Sequence, residues 1–168
     1  MVSAHEARRK VSRRILRGFD PDRLGAAIED TGLSVPTLAR LADVSRQTLG
    51  NWISGTTSPS VDRLRQLLAV LAKEQRARGL PVTGVEDVYE FDREHPMLSD
   101  LRIRALLTQP ELGKAAGLPT SVVQALEGGN ARLMPHHIPK LAAALGVSAE
   151  QVEQAHHNTR YRDAGAPS

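Results

Sequence analysis

The sequence predicts an all-α protein built as two tandem domains of four to five helices each. Apolar residues recur at helical spacing through nearly all of the 168 residues, and no convincing period-2 strand interrupts them. Caps and breakers cut that pattern into short segments. The order of segments in the first half then returns in the second.

The elements follow in turn. Residues 1–19 form a basic arm carrying Arg8, Arg9, Lys10, Arg13, Arg14 and Arg17. The first domain is expected over 20–78. Asp20 caps a helix that starts at Pro21 and turns Leu24, Ala27 and Ile28 inward; Gly32 ends it. Ser34 caps a short helix from Val35 to Ala42, where Pro36 is harmless because first-turn N–H groups lack helical partners. After a tight turn at Asp43-Val44, Ser45 caps a third helix to about Ile53, closed by Ser54-Gly55. Pro59-Ser60 opens a fourth, whose Val61, Leu64, Leu67, Leu68 and Leu71 share one face.

Residues 79–96 are expected to be an acidic linker, with a helical turn around Val85–Phe91. The second domain is placed at 97–158. Ser99 is read as the cap of a helix to Leu107, and Thr108-Gln109-Pro110-Glu111 has capping-box spacing before a helix to Ala116. Gly117 turns, Thr120 to Glu127 forms the next helix, another ends at Leu145-Gly146, and Ser148 to Gln151 is a second capping box. Residues 159–168 read as a frayed tail.

Composition excludes much. With no cysteine there is no disulfide framework, thiolate zinc site or cysteine nucleophile. The longest apolar stretches fall far short of the roughly 20 residues that span a bilayer. No secretory signal is visible, so the expected location is the cytoplasm, with no membrane partner. The net charge of +3 says little, but its distribution says more. Residues 1–20 carry six Lys/Arg against two acids, whereas 81–96 carry one against five. Eighteen of the 22 basic residues are Arg, which suits bidentate phosphate and guanine contacts, although a GC-rich genome that favours Arg codons would give the same bias. Arg63, Arg65, Arg76 and Arg78 read as solvated surface. No phosphate loop, nucleophile elbow, zinc-protease or dinucleotide signature occurs, so no enzyme, cofactor or metal is expected. His136-His137 and His156-His157 are adjacent pairs, which point apart on a helix.

Two helices meeting steeply need a small residue at their closest approach, a sharp turn, and apolar residues on the second helix facing the first. In the first half these are Ala39, Asp43-Val44, then Leu49 and Trp52. In the second they are Gly113, Gly117-Leu118, then Val123 and Leu126, at the same spacing. The stretch Leu33 to Trp52 resembles the helix-turn-helix family of phage repressors and Cro, and Gly55 and Pro59 fall near that family's Gly and Pro. The resemblance covers about Asp20–Ala72 closely and Leu98–Val152 more loosely. It implies two lambda-repressor-like domains. Three departures stand out: Val35 replaces the family's usual phosphate-contacting Gln, Asp43 replaces the turn Gly, and the loop Thr56-Thr57-Ser58 carries no charge.

The resemblance implies that Arg46, Gln47 and Asn51 touch bases. Their chemistry agrees, since Arg suits guanine O6/N7 and Gln or Asn suits adenine N6/N7. Gly50 would let the helix sit close to the groove floor. Ser34, Thr37, Thr48, Thr56, Thr57 and Ser58 are the expected phosphate contacts, the loop through hydroxyl and backbone donors. In the second domain the candidates are Gln109, Thr120, Ser121 and Gln124, and that helix serves either DNA or a protein partner. The function expected is that of a sequence-specific, double-stranded-DNA-binding transcriptional regulator of bacterial or phage type, a repressor and nucleoid-associated, with homodimerisation open. Two alternatives are an antitoxin- or adaptor-type interaction protein and a plasmid or chromosome maintenance protein.

Overall fold

A computed structural model describes residues 17–162. Of the basic arm, Arg8, Arg9, Lys10, Arg13 and Arg14 lie outside the described residues; Arg17 is described and exposed. The chain forms two compact units that meet in sequence at Glu90 and Phe91.

The first unit holds α1 (Pro21–Asp30), α2 (Val35–Leu41), α3 (Arg46–Ile53), α4 (Val61–Ala77) and the single turn α5 (Val85–Val88). Local chemistry sets the starts. Asp20 accepts the N–H groups of Asp22 and Arg23 at 3.0 and 3.1 Å, and Ser34 and Ser45 accept those of Thr37 and Thr48 at 3.3 and 2.9 Å. Each such cap is worth about 1 kcal/mol. The expected inward stripes are all buried: Leu24, Ala27 and Ile28 on α1, and Val61, Leu64, Leu67, Leu68 and Leu71 on α4.

The segment that composition marks as an acidic linker is in part core. Val88 and Tyr89 are buried, and Tyr89 packs its ring against Phe19 at 5.7 Å. Around them Asp20 N donates to Val88 O at 2.9 Å and Glu90 N to Gly18 O at 2.7 Å. Upstream, the buried Gln75 amide grips Thr83, donating to its hydroxyl at 2.7 Å and accepting its N–H at 2.8 Å. The acids of this stretch stay at the surface while Val88 and Tyr89 close the unit, each large buried side chain contributing about 1.5–3 kcal/mol.

The second unit holds α6 (Leu98–Arg104), α7 (Gln109–Ala116), α8 (Thr120–Glu127), α9 (Ile138–Leu145) and α10 (Ala149–Arg160). Leu98, Leu101, Leu112, Ala116, Val123, Leu126, Leu141, Leu145, Val152 and Ala155 form its core. Two starts carry the expected capping boxes: Thr108 with Glu111, and Ser148 with Gln151. Ser99 is not a cap. Met97 holds that position, and its N–H donates to the Asp100 carboxylate at 2.8 Å, so the helix already begins at Leu98 and ends at Arg104. Among the described residues no helix is long and apolar enough to cross a membrane.

Candidate nucleic-acid interface

Helices α2 and α3 are joined across Asp43 and Val44. Ala39 is buried where they approach, and its carbonyl accepts Val44 N at 3.0 Å. The turn needs a residue at positive φ, and Asp43 takes it at 51°. Arg63 of α4, expected to be plain surface, reaches this turn: its Nη1 donates to Asp43 O at 3.4 Å and to Gln66 at 3.1 Å.

The face of α3 follows from its period. Leu49 and Trp52 are buried, which turns positions 46, 47, 50 and 51 outward. Arg46 and Gln47 are exposed; Gly50 and Asn51 are half-buried. Arg46 makes no hydrogen bond or ion pair with another described residue. Gln47 Nε2 donates to Asn51 Oδ1 at 2.9 Å, one helical turn on. The two amides are therefore one unit, a link their i, i+4 spacing made legible.

The hydroxyls beside this face come in two matched pairs. Ser34 Oγ lies 2.8 Å from Thr37 Oγ1, and Ser45 Oγ lies 2.8 Å from Thr48 Oγ1. Each pair uses one hydroxyl hydrogen internally and keeps one to offer a phosphate. The loop after α3 is more committed than its sequence suggests. The N–H groups of Thr56 and Thr57 both donate to Asn51 O, at 2.9 and 3.2 Å, and the Thr56 hydroxyl pairs with Ser54 at 2.8 Å. The backbone donors of Thr56 and Thr57 are thus taken up in closing the helix, and since the Ser54 hydroxyl donates to Asn51 O at 3.2 Å, the Thr56 hydroxyl donates to Ser54, leaving the Thr57 hydroxyl.

The second unit repeats the backbone design at matching positions. Leu118 N donates to Gly113 O at 2.8 Å, as Val44 N does to Ala39 O; Gly129 N bonds Leu126 O as Gly55 N bonds Trp52 O, both at 3.2 Å. Asn130 N bonds Ala125 O at 2.9 Å, matching Thr56 and Asn51. The outward face of α8 is Thr120, Ser121, Gln124 and Ala125, with no charge. Gln109 is drawn inward instead: its Nε2 donates to Glu127 Oε2 at 2.8 Å. Glu127 also takes Arg102 Nε at 2.6 Å and Nη2 at 3.1 Å, and Arg102 Nη1 donates to Leu107 O at 2.9 Å. A buried carboxylate needs such donors, so one amide hydrogen of Gln109 is committed and one remains. Arg102 and Glu127 stand on different helices, far apart in sequence, so no local spacing signals their pairing.

The histidine pairs are held separately. His136 and His137 stack edge-on at 4.3 Å, and His156 Nε2 lies 3.0 Å from Ala131 O.

Residues 26–74, from within α1 to within α4, match the helix-turn-helix family. That match indicates DNA binding of the transcription-regulator type and takes in the whole α2–α3 pair. No curated protein matches the chain.

Proposed function

We propose that the chain is a sequence-specific regulator of transcription, a repressor that reads double-stranded DNA through α3 in the major groove. The observation that carries this is the outward face of α3, with an unengaged Arg46 beside the coupled Gln47–Asn51 amides. A major groove admits a helix, and these side chains match guanine and adenine edges. The hydroxyls of Ser34, Thr37, Thr48, Thr57 and Ser58, with the N-termini of α2 and α3, fix register on the phosphates. The basic arm at 1–19 adds sequence-independent affinity along the backbone.

In this reading the second unit is a second helix-turn-helix copy of the same repressor type, supported by the hydrogen bonds that recur at matching positions in both units. The uncharged face of α8 favours a second role for it, docking a protein partner or another copy of the chain, as an antitoxin or adaptor would. Thr120→Arg then leaves DNA affinity nearly unchanged. A maintenance protein on arrayed plasmid or chromosomal sites would use the same α3 contacts. The protein works in the cytoplasm, on the nucleoid.

Selection of bound duplexes from a random pool at near-physiological salt tests the proposal. Enrichment of one short motif is expected, and two spaced motifs if both units read bases. No enrichment overturns it.

A further inference from the structure

One face of α10 in the second unit carries more chemistry than packing requires. Glu153, His156, His157, Arg160 and Tyr161 fall at i, i+3, i+4, i+7 and i+8, the spacing of a single helical stripe. His156 is buried, and its Nε2 lies 3.0 Å from Ala131 O, which ties the loop after α8 to the middle of that stripe. Arg132, the next residue of the loop, lines a cavity of about 450 Å³ together with the stripe. That volume is in the range of small-molecule sites.

Three charged groups line it without partners. The guanidiniums of Arg132 and Arg160 and the carboxylate of Glu153 make no hydrogen bond or ion pair with another described residue. The helix dipole accounts for a basic residue in the last turn of α10, but not for Arg132, which comes from another segment. Tyr161 is 66% exposed, with its ring against His157 at 4.7 Å between centroids, so an aromatic surface is left open. The first unit has no such stripe, its fifth helix being the single turn α5.

The placement of these groups selects a ligand. Two guanidiniums suit a phosphate dianion. Glu153 stands two helical turns before Arg160, about 10 Å along the axis. Its carboxylate repels further anions and accepts hydrogen bonds. A long polyanion is therefore disfavoured, and a molecule with a phosphate at one end and N–H or O–H groups at the other is favoured. The His157 ring lies between the two ends, with Tyr161 beside it, where a flat ring would stack. We infer that the second unit holds a site for a ligand of the mononucleotide class, a phosphate monoester carrying a planar heterocycle. Arg132 and Arg160 take the phosphate, Tyr161 with His157 stacks the ring, and Glu153 accepts amino or hydroxyl hydrogens. Such a site is independent of the DNA-reading role of α3.

Calorimetric titration of the full chain with adenosine monophosphate, adenosine and inorganic phosphate provides the test. The monophosphate is expected to bind one to one with a dissociation constant below about 1 mM, and adenosine or phosphate alone about tenfold or more weaker. Arg132→Gln and Arg160→Gln each weaken the monophosphate about tenfold. Tyr161→Ala weakens it too, but leaves inorganic phosphate unchanged. All three side chains are exposed, so unfolding midpoints stay parental and the losses are local. No saturable binding at millimolar monophosphate overturns the inference, as does parental affinity in both arginine variants. Equal binding of monophosphate and inorganic phosphate also overturns it, leaving an adventitious cationic patch only. Displacement of the monophosphate by random duplex, with weaker duplex binding in the arginine variants, would assign these guanidiniums to the DNA backbone instead.

Discussion

Two isoleucines in the first unit stand where the second unit keeps an ion pair. When the two motifs are aligned on Ala39 and Gly113, Ile28 and Ile53 correspond to Arg102 and Glu127. Around Ile53 and Glu127 the backbone bonds match, Ser54 N to Gly50 O and Gly128 N to Gln124 O, both at 2.9 Å. In the first unit Ile53 of α3 lies beside α1, where a Cβ at Gly25 would come within 3.7 Å of its Cγ2; in the second a bidentate pair, its side chains only 10% and 5% exposed, ties α6 to α8. The outer faces diverge just as far, Arg46, Gln47 and Asn51 against Thr120, Ser121 and Ala125. The scaffold is set by caps, a small residue and a tight turn, so the positions around it are free to specialise.

Glu127→Ala should separate the two units most strongly. It strands a buried guanidinium and a Gln109 amide, and should cost the second unit about 3–5 kcal/mol. Urea unfolding by circular dichroism reads that loss, while the fluorescence of Trp52, the single tryptophan and a first-unit residue, keeps its midpoint. If the two solutions are interchangeable, Arg102→Ile with Glu127→Ile restores most of the stability, since a packed apolar pair often replaces a buried ion pair without loss. A double variant as unstable as the single one would show that the charges are irreplaceable here.

A smaller effect is expected where the helices touch. A Cβ at Gly113 would lie 2.7 Å from Leu118 O, so Gly113→Ala must push backbone aside and should cost about 1–3 kcal/mol. The first unit carries Ala39 at that place without penalty, so its helices meet slightly differently. An unchanged unfolding midpoint in Gly113→Ala would remove that distinction.

Next come the turns. Asp43 and Gly117 both hold left-handed backbone, at φ 51° and 63°. Asp43→Gly should stabilise the first unit by about 1 kcal/mol, and Gly117→Asp should destabilise the second by a similar amount. Opposite signs in the two midpoints are the check.

The smallest effect concerns pH. Burial holds the His137 imidazole below its usual value near 6.5, with His136 and Lys140 adding repulsion. The unfolded chain therefore takes up this proton first as pH falls. The stabilising contribution is complete above about 6.5 and declines below it, down to the lower folded-state value. His137→Asn, which keeps an acceptor for Met134 N, should flatten that slope in midpoints measured from about pH 7.5 to 5.

Most helix starts could be read because their determinants are local: Asp20, Ser34, Ser45, Thr108 and Ser148 each cap the first turn that follows them. The outward face of α3 was legible for the same reason, through Leu49 and Trp52. What escaped was non-local or reversed in sense. Phe19 and Tyr89 meet from opposite ends of the first unit's sequence, and a run of acids around Val88 disguised two core residues. At α6 the carboxylate of Asp100 reaches back to Met97, where a forward-reaching serine was expected.

Methylation interference on the selected duplex asks most directly whether Arg46 on α3 reads bases in the major groove. Methyl groups at guanine N7 project into that groove. The parent protein should be blocked by methylation at one guanine or more, and Arg46→Ala should lose its sensitivity at the guanine facing Arg46 while keeping the rest. Identical interference patterns for the two proteins would mean that Arg46 reads no guanine and that α3 does not dock as proposed.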